Sequence, residues 1–180
     1  MLEQFERVVA QHKNLVYSFA YYYLGNAAEA EDVTQDVLLK LWNHFGRLDL
    51  DTVPRWLNRV TRNASFDQLR RRRAYRKVVA EDAAPELTER APAGGRDPFA
   101  QAESAAFSER LRSTLAQLPE PYRSALVLRE IQELKYQEIS DLLGIPVNTV
   151  KTHVHRGRRL LRERLREVLG DVLVDRACLH

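Results

Sequence analysis

Residues 83–98 read AAPELTERAPAGGRDP, and this stretch limits what the rest of the chain can build. It holds three of the seven prolines and a Gly-Gly pair. Proline removes a backbone donor and fixes φ, and paired glycines leave the backbone nearly without preference, so no helical or strand period runs through. The 180 residues are thereby divided into halves that each support one small core. Both halves place apolar residues at steps of three and four, with few strand-like alternations and no internal repeat. The expected fold is all-α: two small helical domains, 1–78 and 106–170, joined by a flexible linker, 79–105, and followed by a tail, 171–180.

Hydrophobic residues make up 44% and charged residues 29%, the balance of a soluble protein with real cores. No apolar run of about 18 residues exists to cross a membrane. The opening MLEQFERVVAQHKN has an acid at its third residue and no long apolar core, so a signal peptide is not expected. The lone Cys178 has no internal disulfide partner, which fits a reducing, cytoplasmic location. Charge is unevenly spread although the net is only +3. Segment 70–77, RRRRAYRK, has six basic residues in eight. Segment 151–166 has seven (Lys151, Arg156, Arg158, Arg159, Arg162, Arg164, Arg166) against Glu163. Between them, 81–103 holds six acids and two arginines. Two basic patches flanking an acidic spacer suggest two contacts with a polyanion.

In the second half, Leu111, Leu115 and Leu118 keep a helical step before Pro119. Further helices are expected from about Pro121, from Tyr136 to Leu143, and from about Asn148 to Leu169. Gly144-Ile145-Pro146 separates the last two, with Asn148 or Thr149 available to cap the second. Small Ser140, then Gly144, then Val150 have the spacing of a helix-turn-helix: a small residue for a close crossing, glycine for the turn, valine as anchor. At about 100° per residue, Val154, Gly157 and Leu161 fall within about 40° of Val150, and Leu165 and Val168 continue this core stripe. Lys151, Thr152, His155, Arg159 and Arg162 lie opposite, a face suited to a major groove, with base edges read by the first turns and phosphates held by arginine.

The pair His153 and His155 invites a metal-site reading. On a helix they diverge by about 200°, whereas two ligands on one helix need a spacing of three or four. No metal and no cofactor is expected. His153 sits at the edge of the core face and reads as structural; His155 is a candidate DNA contact.

In the first half, Gly25 closes one helix, and Asn26-Ala-Ala-Glu29 fits a capping box opening the next. Within EDVTQDVLLKLWNHF, residues 31–45, Val33, Val37, Leu38, Leu41 and Phe45 form the apolar face. Asp32, Gln35, Asp36 and Leu39 group on the other side. An apolar residue ringed by carboxylates and an amide suits docking of a basic partner helix; no histidine joins the carboxylates to suggest acid–base or metal work. In PRWLNRVTRNASFDQLRRRR, residues 54–73, Trp56, Arg59, Asn63, Phe66 and Arg70 step along one side. Rings, cations and an amide are what single-stranded nucleic acid requires, although Trp56 and Phe66 fit a core role equally well.

Taken together these motifs resemble the sigma factors of bacterial RNA polymerase. AEAEDVTQDVLLKLW followed by VPRWLNRVTRNASFDQLRRRR is similar to their region 2. LAQLPEPYRSALVLREIQELKYQEISDLLGIPVNTVKTHVHRGRRLLRERL is similar to their region 4. The compact layout, with only a linker between, resembles the extracytoplasmic-function group. The resemblance implies that Asp32, Gln35, Asp36 and Leu39 dock on core polymerase. It implies that the loop from Phe45 to Pro54 and the helix after it open the −10 element, with Arg59, Arg62, Asn63, Arg70, Arg71, Arg72 and Arg73 contacting DNA. It further implies that Asn148, Thr149, Lys151, Thr152, His155, Arg156 and Arg159 meet the −35 duplex. The linker would thread the polymerase cleft, its acidity suited to mimic RNA, and an anti-sigma factor is an expected partner. GDVLVDRACLH runs past the usual end of region 4, and Cys178 with His180 is too slight a pair to carry a sensing role.

Two other readings compete. TVKTHV also resembles the recognition helix of LuxR-type regulators, which bind DNA without polymerase; that reading leaves the first half unused. A sigma-like decoy that only sequesters an anti-sigma factor needs neither a basic recognition helix nor four consecutive arginines. No phosphate loop, nucleophile elbow or metal cluster points to an enzyme.

Overall fold

The structure, a computed structural model, describes residues 1–79 and 98–169, with side-chain surroundings for 1–75 and 106–167. The chain divides into two compact units, Met1–Glu89 and Arg90–His180. Every regular element among the described residues is helical, as the three- and four-residue steps imply. Residues 80–97, most of the linker, and the tail from residue 170 with Cys178 and His180 lie outside the described residues.

The first unit packs three long helices, α1 (Leu2–Leu24), α2 (Ala27–His44) and α3 (Val53–Val79). Val16, Phe19, Ala20, Tyr23 and Leu24 of α1 are buried, following the helical step. Gly25 ends α1 at φ 72°, and its N–H donates to the Tyr21 carbonyl at 3.0 Å, a conformation glycine adopts without a Cβ clash. Asn26 then opens α2, its Oδ1 accepting from the Glu29 N–H at 2.9 Å, so the expected N-cap forms. Two short 3-10 turns, Phe45–Arg47 and Leu50–Thr52, join α2 to α3. Val33, Val37, Leu41 and Phe45 close the core against Val53, Leu57 and Leu69 of α3. The inward side of α3 also carries Asn58, Thr61 and Ser65; Asn58 Oδ1, Thr61 Oγ1 and Ser65 Oγ have no hydrogen-bond partner.

The second unit contains α4 (Pro98–Ala116), α5 (Glu120–Leu126) running into a π-helical turn (Val127–Ile131), α6 (Tyr136–Leu143) and α7 (Val147–Leu169). The expectation of linker up to residue 105 meets a difference here, because helix begins at Pro98. Proline is tolerated in a first helical turn, where its missing N–H has no intrahelical acceptor, and the alanines that follow favour helix. The buried Arg123 guanidinium donates to the carbonyls of Ala116 and Leu118, satisfying acceptors that the end of α4 leaves open. Leu115, Leu118, Leu126, Leu128, Ile139, Val150, Val154 and Leu165 form the core.

Candidate functional site

On α2 the two faces separate as the sequence pattern requires. Val33, Val37 and Leu41 are buried while Asp32, Gln35, Asp36 and Leu39 are exposed, Leu39 at 61%. The buried Thr34 hydroxyl turns back to the Ala30 carbonyl at 2.6 Å, so it takes no part in the exposed face. Trp42, one turn beyond Leu39, is 43% exposed and packs edge-on against Phe5, ring centroids 4.8 Å apart. Its i+3 relation to Leu39 is visible in the sequence, but its exposure is not, because tryptophan on a small helix is equally at home in a core. Leu39 and Trp42 thus give this acidic face an apolar ridge.

At the α2–α3 corner, His44 lies 5.7 Å from Trp56 between ring centroids. Trp56 and Phe66 are both half-buried, so each has one side in the domain and one outside. Arg59 and Asn63 are exposed. Arg62 is half-buried: its guanidinium lies 5.6 Å from the centroid of Phe66 and donates to Asn63 Oδ1 at 3.2 Å. Arg62, beside Asn63 in the candidate surface, is therefore braced against Phe66.

The four arginines do not form one surface. Arg70, Arg71 and Arg73 are exposed, with Arg70 3.5 Å from Asp67. Arg72 turns the other way. It donates to the Leu24 carbonyl at 3.1 Å and to Glu29 Oε2 at 2.8 Å, so of the four arginines expected along DNA it is the one whose guanidinium the domain holds. The reason is helical phase: at about 100° per residue, four consecutive side chains are spread around nearly the whole circumference, so one member faces the domain. Tyr75, 68% exposed in the same basic stretch, was not singled out in the sequence.

In the second unit, Gly144 takes the turn between α6 and α7 at φ 67°. The Ser140 hydroxyl donates to the Ile145 carbonyl at 2.6 Å, holding the turn, and Gly157 marks a second close crossing, that of α7 on α5. A Cβ at Gly157 would lie 2.9 Å from Leu126 Cδ1 and 3.3 Å from Tyr122 Cβ. The cap of α7 differs from the one expected: the Pro146 carbonyl accepts from the N–H groups of Thr149 and Val150 at 2.9 and 3.0 Å. Asn148 and Thr149 therefore lie within the first turn of α7, which starts at Val147, and the Asn148 side chain is exposed.

Lys151, Thr152, His155, Arg156 and Arg159 are exposed along α7, and Thr149 is half-buried. Thr152 Oγ1 donates to the Asn148 carbonyl at 2.9 Å. Arg159 reaches Glu163 only at 3.6 Å and stays open to solvent. Two other basic residues brace the fold: Arg158 binds Glu130 at 2.6 Å, and Arg164 donates to the Gln117 carbonyl at 2.8 Å. His153 packs edge-on to Tyr122, ring centroids 5.6 Å apart, while His155 is exposed. The two histidines look in different directions, and no group of three potential metal ligands occurs among the described residues. No helix among them is long and apolar enough to cross a membrane.

Comparison with known proteins matches one segment in each half of the chain. Residues 8–75 match the model of Sigma-70 region 2 and residues 108–161 that of Sigma-70, region 4. The chain is 33% identical over 92% of its length to the ECF RNA polymerase sigma factor SigW of Bacillus subtilis, covering 91% of it. It is 34% identical over 91% of its length to the ECF RNA polymerase sigma factor SigE of Mycolicibacterium smegmatis, spanning 62% of that protein. Among solved structures, the sigma factor RpoE of Bartonella quintana, in complex with the anti-sigma factor NepR, matches at TM-score 0.71 and 22% identity, covering 94% of this chain and 99% of that one. CnrH, in complex with the cytosolic domain of CnrY, matches at TM-score 0.65 and 25% identity over 92% of this chain and 89% of that one.

Proposed function

The chain belongs to the extracytoplasmic-function group of RNA polymerase sigma factors, and from that premise we propose that it binds core polymerase and directs it to promoters by recognising −10 and −35 elements. Residues 1–78 act as region 2 and 106–170 as region 4, with α4 reaching back to Pro98 from the connection between them. The observation that carries the reading is the pairing of an exposed Asp32, Gln35, Asp36 and Leu39 face with an exposed basic face on the second helix of a helix-turn-helix. A regulator acting without polymerase needs only the second.

In this reading Leu39 and the acidic residues around it meet a basic helix of the polymerase, with desolvation of Leu39 adding to charge complementarity. Arg59, Asn63 and the outward arginines Arg70, Arg71 and Arg73 meet the −10 strand, where an amide and half-buried rings suit unstacked bases and cations suit phosphates. The first turns of α7, with Asn148, Thr149, Lys151, Thr152 and His155, lie in the major groove of the −35 duplex, and Arg156 and Arg159 hold its backbone. The protein works by binding, not by a reaction of its own, in the cytoplasm, and an anti-sigma factor is the regulator that fits this family. Transcription in vitro by core polymerase with and without the chain tests the proposal. Promoter-specific transcripts that require the chain support it; specific DNA binding by the free chain with no effect on initiation overturns it.

A further inference from the structure

The ion pair between Arg72 and Glu29 ties three helices together at one point. Leu24 is the last residue of α1, and its carbonyl belongs to the negative end of that helix. Glu29 stands in the first turn of α2 with its N–H already capped by Asn26. Arg72 reaches both from α3, and the pair is largely shielded, its side chains 24% and 18% exposed. Leu69 is the last fully buried residue of α3 among the described side chains, and Arg70, Arg71, Arg73, Ala74 and Tyr75 are all exposed. Arg72 is thus the one described anchor beyond Leu69.

We propose that Arg72 is a positioning residue for promoter recognition, clamping the distal turns of α3 to the α1–α2 corner so that Arg70, Arg71, Arg73 and Tyr75 meet DNA in a fixed arc. This rests on the reading that those turns contact the promoter. Without the clamp no described side chain beyond Leu69 is buried to hold these turns, and ordering them on DNA costs conformational entropy at the moment of binding. The basic run then divides into three residues that face DNA and one that aims them.

Glu29→Gln gives the sharpest test, because it removes an acid. A purely electrostatic account has it bind promoter DNA as well as wild type or better. The clamp requires polymerase carrying Glu29→Gln to bind promoter DNA about fivefold more weakly, with affinity for core polymerase unchanged. Amide exchange over residues 70–75 of the free chain should quicken in both Glu29→Gln and Arg72→Ala. The exchanged pair, Glu29→Arg with Arg72→Glu, should recover part of the promoter affinity lost by Arg72→Glu alone. Undiminished binding by Glu29→Gln, or no recovery by the exchanged pair, overturns the proposal. The underlying reading fails separately: if Arg71→Ala and Arg73→Ala leave promoter affinity unchanged, these turns do not contact DNA, and a positioning role goes with them even where amide exchange quickens.

Discussion

Gly157 and Leu126 meet where α7 crosses α5, with no room between them for one more carbon: a Cβ at position 157 would lie 2.9 Å from Leu126 Cδ1. Leu126 is buried, and the Tyr122 Cβ, one turn earlier on α5, lies at 3.3 Å, so either the Leu126 side chain must turn or the helices must part. Gly157→Ala gains helix propensity of about 1 kcal/mol and overpacks a core crossing at a cost of about 1–3 kcal/mol. The net expectation is a loss of stability in the second unit, read by urea unfolding, with weaker binding to −35 duplex. Adding Leu126→Val should restore part of the binding; unaltered stability in Gly157→Ala would show that the crossing has slack.

Asp36→Lys should leave folding intact, since Asp36 is exposed, and should weaken association with core polymerase by reversing one charge in the docking face. Leu39→Ala should do the same by removing the apolar ridge. Equilibrium binding to core polymerase measures both, and unchanged affinity in the two variants would remove the docking assignment.

Asn63→Ala should slow promoter opening more than formation of the closed complex. Its amide is exposed and braced by Arg62 at 3.2 Å, a placement that suits a base reached only after strand separation. Fluorescent base analogues in the −10 element separate the two steps; equal loss at both would count against strand capture.

Arg159→Ala should weaken binding to many sequences alike and lower the slope of log affinity against log salt by about 1, as expected when one phosphate contact is lost. A changed base preference at unchanged slope would instead assign Arg159 to readout.

Thr61→Val should leave the first unit as stable as wild type or up to about 1 kcal/mol more stable, because it replaces a buried hydroxyl that has no partner by a methyl of similar shape. The Thr61 side chain is 1% exposed and its Oγ1 makes no hydrogen bond. Thermal unfolding reads the change, and a clear loss of stability would mean that the hydroxyl is satisfied through a buried water.

Much of this protein was legible without coordinates because the deciding signals are local. Turn glycines, the Asn26 cap and apolar residues at steps of three and four concern neighbours along the chain, so they place α1, α2, α6 and α7 and separate the exposed face of α2 from its buried one. The same winding rule parts His153 from His155. What the tertiary structure decided concerns residues far apart in sequence that meet in space. Arg72 finds Glu29 and the Leu24 carbonyl, Arg158 finds Glu130, and Arg123 finds the end of α4. In a sequence these arginines look like those that face solvent, since composition counts charges but not partners. Only packing, which brings a carboxylate or an open carbonyl to one guanidinium and leaves another in water, distinguishes the cations that hold the fold from those left free for a polyanion.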